Sequence, residues 1–348
     1  MAQPADTLTA RINEIFQSCF KADEPGGAVL IAKNGQVIFS QGFGLADLQT
    51  REKITTHTIF NLGSISKTFV AYGILQLANE GKLSIDDRLT RFFPDFKHPK
   101  AIAGVRLFHL LTHSSGIPDS RPVETQREFY LTAKDEENFE PLKKTKWLQF
   151  EPGTHYRYSN PAFNGLALII EKTTGYKWQQ FIHDRIFVPA GMPTSTITDG
   201  PHPVSGVSHA YVRNAQQQFE ELDYGEEPTF AAAGNGGVWS TVEELWNYEQ
   251  AIQQHTFLPE SWVQRSRMPY PLPQWKDSLP QRLGLSWFIN LAANGHPMIG
   301  HTGSQGGFIS DYCWWPEEKL FYVLLCNTPK PIMDIRRKLQ DVFGIAHP

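Results

Sequence analysis

Strand-forming segments occupy the two ends of this chain, and helix-forming segments occupy its middle. Near the start, apolar runs at 28–32 and 37–40 flank Asn34-Gly35, the dipeptide that best supplies the two positive φ angles of a tight hairpin. Near the end, short apolar strands follow one another across turns such as Asn294-Gly295. Because strands joined by tight turns pair antiparallel, the sequence predicts one antiparallel sheet built from both ends of the chain.

An amphipathic helix is predicted at each end of the chain, since apolar residues recur there at helical spacing over 5–21 and 332–343. The C-terminal strands are predicted at 283–289, 298–301, 307–315 and 320–326.

Between residues 82 and 228 the pattern changes to short helices separated by loops that contain Pro and Gly. Its charged part, 122–146, lacks apolar periodicity and is interpreted as a surface excursion. The predicted fold class is therefore α+β, a sheet flanked by the terminal helices with a mostly helical insertion. We expect a single unit over 1–348, with a sheet-containing sub-domain from 1–81 and 229–348 and a mostly helical sub-domain from 82–228.

Composition excludes several classes of function. The net charge is −4 and no block of like charge occurs, so no nucleic-acid partner is expected. No apolar run is long enough to predict a transmembrane segment. The three cysteines show no disulfide or zinc-ligand spacing, and no metal or organic cofactor is expected. The oligomeric state stays open, and so does the compartment, with an exported, periplasmic protein whose signal is absent favoured over a cytoplasmic one.

Ser64 and Lys67 stand three residues apart where a helix, predicted to end at Gly81, begins. At that spacing both side chains share one helical face, so the lysine could help to remove the serine proton. The unpaired N–H groups of a helix start also favour a developing oxyanion. The pair predicts acyl transfer, whereas a second match to Ser-x-x-Lys, Ser18 with Lys21, is interpreted as accidental.

Two further polar clusters follow in the chain. Tyr158-x-Asn160 lies in a loop before a predicted helix, and His301 to Ser304 lies at a predicted strand edge. The order and spacing of the three clusters resemble the serine β-lactamase and penicillin-binding-protein superfamily. The tyrosine form resembles the branch of class C β-lactamases, D,D-carboxypeptidases, esterases and D-aminopeptidases. The resemblance also includes 107–116 and 234–240, and it implies a β-lactamase/transpeptidase-like fold acting as a single catalytic unit.

The resemblance implies a serine hydrolase in which Ser64 forms an acyl-enzyme with an amide or ester, while Lys67 and Tyr158 relay its proton. Tyr158 is favoured as the acid/base and Lys67 as its activating charge, with Lys67 as the alternative base. Asn160 is implied to position Lys67 and to bind the substrate amide. The backbone N–H groups of Ser64 and Ser304 are implied to form an oxyanion hole. The rest of the implied substrate-binding strand is His301, Thr302 and Gly303.

His301 departs from the lysine that many β-lactamases carry in the third cluster. Since histidine is largely neutral above its usual pKa near 6.5, strong recognition of a β-lactam carboxylate is not expected. The KM for a carboxylate-bearing substrate is predicted to rise from about pH 6 to about pH 8 as His301 loses its proton. The substrate is expected to be a small molecule or peptide: a D-amino-acid peptide, a small ester or a β-lactam, with a carboxypeptidase or esterase favoured over an efficient β-lactamase. The alternative is a penicillin-binding or sensor-like protein that is acylated without efficient turnover.

Other readings of the sequence are weaker. A Ser-His-Asp hydrolase needs a nucleophile elbow, and 206–210 lacks its final glycine. His109 and His113 stand four apart but lack a third ligand, so structural histidines are favoured over a metal site.

The glycine-dense stretch 234–237 predicts backbone packed closely against a neighbour, and Ser240-x-x-Glu243 predicts a capping box.

Overall fold

The structure, a computed structural model, describes residues 4–122, 129, 132–197, 206–222, 231, 233–272 and 281–347. The described strands are β1 (Gly27–Lys33), β2 (Gln36–Phe43), β3 (Phe60–Asn61), β4 (Tyr211–Arg213), β5 (Phe219–Glu221), β6 (Trp239–Ser240), β7 (Gln281–Leu283), β8 (Phe288–Leu291), β9 (Pro297–Gln305), β10 (Phe308–Trp315) and β11 (Leu320–Cys326). The described α-helices are α1 (Pro4–Cys19), α2 (Ser66–Asn79), α3 (Leu89–Phe92), α4 (Leu107–Leu111), α5 (Asp135–Phe139), α6 (Asn160–Thr174), α7 (Trp178–Ile182), α8 (Val242–Gln253), α9 (Glu260–Ser266) and α10 (Ile332–Phe343).

The main sheet has seven strands in the order β2-β1-β11-β10-β9-β8-β7, and every neighbouring pair is antiparallel. The two ends of the chain meet where β1 pairs with β11, with Gly27 opposite Cys326. Asn34 and Gly35 adopt positive φ angles in the turn between β1 and β2. The predicted sheet from both chain ends is therefore confirmed.

Each face of the sheet is covered by helices. The terminal helices α1 and α10 pack on one face through a cluster that includes Ile12, Phe16, Ile335 and Leu339. The other face packs against the main core, which contains α2. Helix α2 is buried almost all round, from Ser66 to Leu77, as expected for a helix without a polar face. The start of α2 is consequently fixed deep in the molecule.

The predicted strand 283–289 is wrong, because β7 and β8 form a hairpin within this run. Leu283 pairs with Phe288, and Ser286 in the turn has a φ of 72°. A continuous apolar run does not reveal this turn, since the turn residue Trp287 is itself buried.

The interpretation of 122–146 as a surface excursion is wrong for part of its length. Within the described residues, Asp135, Asn138, Phe139 and Leu142 are buried. The Phe139 ring lies 4.4 Å from that of Phe93 and anchors α5 on the core. Local periodicity missed this anchor because α5 is only five residues long. Residues 123–128, 130 and 131 lie outside the described part of the chain.

The predicted capping box at Ser240 is also displaced. Helix α8 is capped by Thr241, whose side chain accepts a hydrogen bond from the N–H of Glu244 at 3.1 Å. Ser240 instead contacts the hydroxyl of Ser195 at 2.7 Å, so the sequence pattern was offset by one residue.

Helices α3 to α7 all lie between residues 82 and 228, where the described strands are the short pair β4 and β5. The predicted boundary at residue 229 falls outside the described residues, so the division into sub-domains stays a prediction. Over the described residues, no helix is both long and apolar enough to cross a bilayer.

Candidate functional site

Ser64 lies in a 3-10 turn, Gly63–Ile65, that leads directly into α2. The predicted helix is confirmed, but its α-helical part begins at Ser66 rather than at Ser64. Lys67 is fully buried in the first turn of α2, and its Nζ lies 3.0 Å from Oγ of Ser64. The serine and the lysine are thus in direct hydrogen-bond contact.

Lys67 makes a second hydrogen bond, from Nζ to the carbonyl oxygen of Asn235 at 2.6 Å. Burial lowers the pKa of Lys67 well below its usual value, and the nearby charge of Arg121 lowers it further. Among the described residues, the hydrogen bonds of Lys67 go to Ser64 and Asn235 and not to Asn160. The contact that the resemblance assigned to Asn160 is made here by a backbone carbonyl.

The Tyr158 ring lies beside Lys67, with Nζ 5.1 Å from the ring centroid. The buried ring of His113 stacks on it at 4.3 Å between centroids. The Nδ1 atom of His113 accepts a hydrogen bond from the N–H of Ser159 at 3.0 Å, which ties the loop of Tyr158 to the residues that follow α4. Tyr158 is therefore held between a buried histidine and a buried lysine.

The two histidines considered as metal ligands have structural partners instead. Nδ1 of His109 accepts a hydrogen bond from the N–H of Arg106 at 3.1 Å. In the same way, Nδ1 of His113 accepts a hydrogen bond from the N–H of Ser159. Within the part of the chain that the structure describes, no group of three His, Cys, Asp or Glu side chains could hold a metal ion.

Helix α6 is capped by Ser159, whose hydroxyl accepts a hydrogen bond from the N–H of Ala162. Asn160 is the first residue of that helix and lines the cavity above Ser64. Its side chain is therefore not used as the helix cap.

A cavity of about 400 Å³ brings seven of the eight predicted site residues together, with Lys67 hydrogen-bonded to Ser64 beside it. Three apolar side chains, Phe288, Ile309 and Ile332, form another part of its wall. The seven predicted residues are Ser64, Tyr158, Asn160, His301, Thr302, Gly303 and Ser304.

His301 is neutral in this environment. Its Nδ1 must donate to the carbonyl oxygen of Thr302 at 2.6 Å, because a carbonyl can only accept. Burial, together with the charge of Lys67, lowers the pKa of His301 to about 3. A pKa this low leaves no titration of His301 between pH 6 and pH 8, on which the predicted rise in KM depends. The lone pair of Nε2 is buried and has no partner among the residues described.

The site also depends on residues that the motifs do not contain. The glycine-dense stretch packs closely, as predicted: a Cβ at Gly236 would lie 1.9 Å from Oε1 of Gln305. This packing brings the Asn235 carbonyl to Lys67. Density of glycine was the only sequence signal for this contact, and nothing in the sequence pointed to the buried carboxylate of Asp135 that bonds the same stretch.

The family model described as Beta-lactamase matches residues 10–346. The chain belongs to the beta-lactamase family. This assignment confirms the superfamily resemblance that the three polar clusters indicated, and it covers both ends of the sheet as well as the helices between them.

This member of the beta-lactamase family is similar in sequence to two named proteins. A penicillin-binding protein from Bacillus subtilis is 27% identical over 327 residues, covering 91% of this chain and 71% of the relative. A D-aminopeptidase from Cereibacter sphaeroides is 29% identical over 306 residues, covering 87% of this chain and 57% of the relative. The chain therefore spans little more than half the length of that D-aminopeptidase.

Among solved structures, the octameric penicillin-binding protein homologue from Pyrococcus abyssi is similar with a TM-score of 0.83 at 25% identity, covering 99% of this chain and 78% of that one. This similarity confirms the predicted α+β, β-lactamase/transpeptidase-like fold class for the beta-lactamase-family chain.

Proposed function

We propose that this chain is a serine hydrolase that cleaves amides or esters through an acyl-enzyme formed on Ser64. The observation that carries the proposal is the hydrogen bond of 3.0 Å between Nζ of Lys67 and Oγ of Ser64 at the edge of a cavity. A serine becomes a good nucleophile only when an adjacent base removes its proton, and this contact supplies such a base.

In the acylation step, Oγ of Ser64 attacks the substrate carbonyl and its proton passes to Nζ of Lys67. The backbone N–H groups of Ser64 and Ser304 stabilise the resulting oxyanion, by about 3 to 4 kcal/mol for each donor. The Tyr158 hydroxyl then gives its proton to the leaving amine or alcohol and regains one from Lys67. The bond between carbonyl carbon and leaving group breaks, and the acyl group remains on Ser64.

In the deacylation step, water attacks the acyl carbon and passes one proton to the same relay. The relay returns a proton to Oγ of Ser64 as the ester bond breaks, so the product leaves as an acid. We assign the first proton transfer to Lys67 rather than to Tyr158, because burial lowers the pKa of Lys67 well below its usual value. Tyr158 acts in the second transfer, to and from the leaving group.

The cavity favours a substrate without a carboxylate next to β9. A neutral His301 offers no charge to such a group. The apolar wall of Phe288, Ile309 and Ile332 suits an apolar substituent. D-Amino-acid amides and small esters meet both conditions, and the similarity to a D-aminopeptidase supports the former.

The second candidate function is a penicillin-binding or sensor-like protein that is acylated without efficient turnover. The similarity to a penicillin-binding protein over 91% of this chain supports it. Both candidates use the same Ser64 nucleophile and differ only in the rate of deacylation.

The test compares a p-nitrophenyl ester, a D-amino-acid p-nitroanilide and nitrocefin side by side, with a fluorescent fluorophosphonate as the label for the serine. We expect Ser64→Ala to abolish both labelling and turnover. Ser18→Ala is the matched control, since Ser18 in the last turn of α1 and Lys21 just beyond the helix repeat the Ser-x-x-Lys spacing, and this variant should retain both labelling and turnover. Labelling that survives in Ser64→Ala overturns the proposal. Stoichiometric labelling of the wild type without turnover of any substrate supports the second candidate.

A further inference from the structure

Asp135 is a buried carboxylate that the acyl-transfer steps do not use. It is the first residue of α5, is only 4% exposed, and lies between α6 and the glycine-dense stretch. A buried carboxylate is costly unless it is well hydrogen-bonded, so its partners define its role.

The partners of Asp135 lead to Lys67. Oδ1 of Asp135 accepts one hydrogen bond from the N–H of Gly234 and another from Nδ2 of Asn164, both at 2.8 Å. Nδ2 of Asn164 also donates to Oδ1 of Asn235 at 3.0 Å. The main-chain carbonyl of Asn235 is the group that accepts the 2.6 Å bond from Lys67. One carboxylate therefore holds two consecutive residues, one of which contacts the lysine.

Other hydrogen bonds also hold the stretch, including those that the N–H groups of Gly236 and Gly237 donate to the carbonyl of Ala233 at 3.0 and 2.8 Å. Nδ2 of Asn61 donates to the carbonyl of Gly236 at 3.2 Å, and the N–H of Val238 donates to Oγ of Ser66 at 3.0 Å. These ties hold its C-terminal end. Gly234 has no side chain of its own, and the side chains that hydrogen-bond Gly234 and Asn235 at the N-terminal end are those of Asp135 and Asn164.

The Asn235 carbonyl controls where the amine of Lys67 points. A carbonyl oxygen only accepts hydrogen bonds, so one N–H of Lys67 must face it. The rest of the amine is then directed at Oγ of Ser64, the atom whose proton it receives. Small errors in such alignment lower rates strongly, by about a hundredfold for a displacement of 1 Å.

We propose that Asp135 is a positioning residue for acyl transfer, which holds the Asn235 carbonyl against Lys67 through Gly234 and Asn164. The inference rests on the proposed function, because it requires Lys67 to act on Ser64. It adds to that function a buried carboxylate, outside the three motifs, that directs the base.

The pH dependence has a definite sign. The Asn235 carbonyl stabilises the charged form of Lys67, so losing this acceptor lowers the pKa of Lys67 further. On the acid side of the pH profile of kcat/KM, activity falls as Lys67 becomes protonated. This acid limb of the profile then moves to lower pH. Titratable or charged groups that act on Lys67 from other elements or loops are Arg121, Tyr158, His113 and His301.

Among the described residues, the hydrogen bonds of Asp135 go to none of these neighbours, so we expect Asp135→Ala to leave them in place, including Arg121, which also donates to Oδ1 of Asn138 in α5 at 2.6 Å. Arg121 stays paired with Asp119, and the two histidines are kept neutral by burial, with the pKa of His301 lowered to about 3. Burial raises the pKa of Asp135 itself to about 7, with Glu136 adding to the increase. Asp135→Asn removes that titration but keeps an oxygen that accepts hydrogen bonds. This variant therefore separates the effect of the Asp135 charge from the effect of its hydrogen bonds.

The experiment measures kcat, KM and the pH profile of kcat/KM with a p-nitrophenyl ester, and the rate of fluorophosphonate labelling. We expect Asp135→Ala and Asn164→Ala to lower kcat and the labelling rate by about tenfold or more, with little change in KM, because neither residue lines the cavity. Their acid limb should shift to lower pH. Asp135→Asn should stay within about threefold of the wild type and keep its limb.

Asp311→Asn is the control for a general loss of stability. Asp311 is also a buried carboxylate, but it pairs with Arg336 of α10. We expect it to lower stability without lowering the labelling rate of the folded protein. If Asp135→Ala does not fold, Asn164→Ala carries the test. Wild-type kcat and an unshifted limb in the folded variants overturn this inference alone, whereas labelling that survives in Ser64→Ala overturns the proposed function.

Discussion

Gly303 of β9 lies directly against the carbonyl group of Leu62, just before the turn that holds Ser64. A Cβ at position 303 would be 2.0 Å from the Leu62 oxygen, well inside contact distance. Gly63 makes the reciprocal approach, because a Cβ there would lie 2.7 Å from the backbone nitrogen of Ser304. The two glycines let the turn and the strand meet backbone to backbone, which brings the proposed oxyanion donors side by side.

Gly303→Ala is expected to disrupt this contact. The added methyl group forces β9 away from Ser64, so we expect acylation by a fluorophosphonate to slow by about a hundredfold or more, the cost of losing one oxyanion donor. Stability should fall by about 1 to 3 kcal/mol through overpacking. Gly104→Ala is the control, since the nearest atom to its Cβ would be 3.8 Å away. Unchanged labelling in Gly303→Ala would show that Ser304 is not a donor.

The KM for a substrate that carries a carboxylate should be independent of pH between about pH 5 and pH 8, as far as His301 is concerned. Since burial lowers the pKa of His301 to about 3, the imidazole becomes charged only well below this range. Steady-state kinetics with nitrocefin, compared with an uncharged p-nitrophenyl ester, measures this directly. A KM that rises for nitrocefin alone, with a midpoint near pH 6.5, would mean that His301 titrates normally.

The buried ion pair between Glu249 and Arg267 should contribute strongly to stability when only one partner is removed. The guanidinium donates to both carboxylate oxygens, at 2.8 and 2.7 Å, and Tyr312 adds a hydrogen bond. Glu249→Ala leaves a buried charge unpaired, so we expect a loss of about 3 to 5 kcal/mol in urea unfolding. The exposed pair of Lys21 with Glu24 gives the comparison, since Lys21→Ala should cost less than about 1 kcal/mol. Equal losses in the two variants would contradict the expectation.

The helices and strands near the chain ends were predictable because their signals are local. The hairpin at Asn34-Gly35 and the helix 332–343 both appear where turn chemistry and apolar period indicate them. The hairpin of β7 and β8 was not predictable, because Trp287 in its turn is buried and continues the apolar run. Burial of Phe139 was missed for the opposite reason: its helix is too short to show a period.

The sequence alone determined the family and predicted Ser64, Lys67 and Tyr158 as the catalytic residues, since residue type and spacing carry those signals within short segments. Only the tertiary structure decided what surrounds Lys67. Its contact with Asn235, and the bond from Gly234 to Asp135, join residues 168 and 99 positions apart in the chain. The neutral state of His301 was likewise decided by burial, which depends on how the whole sheet packs and not on the residues beside it.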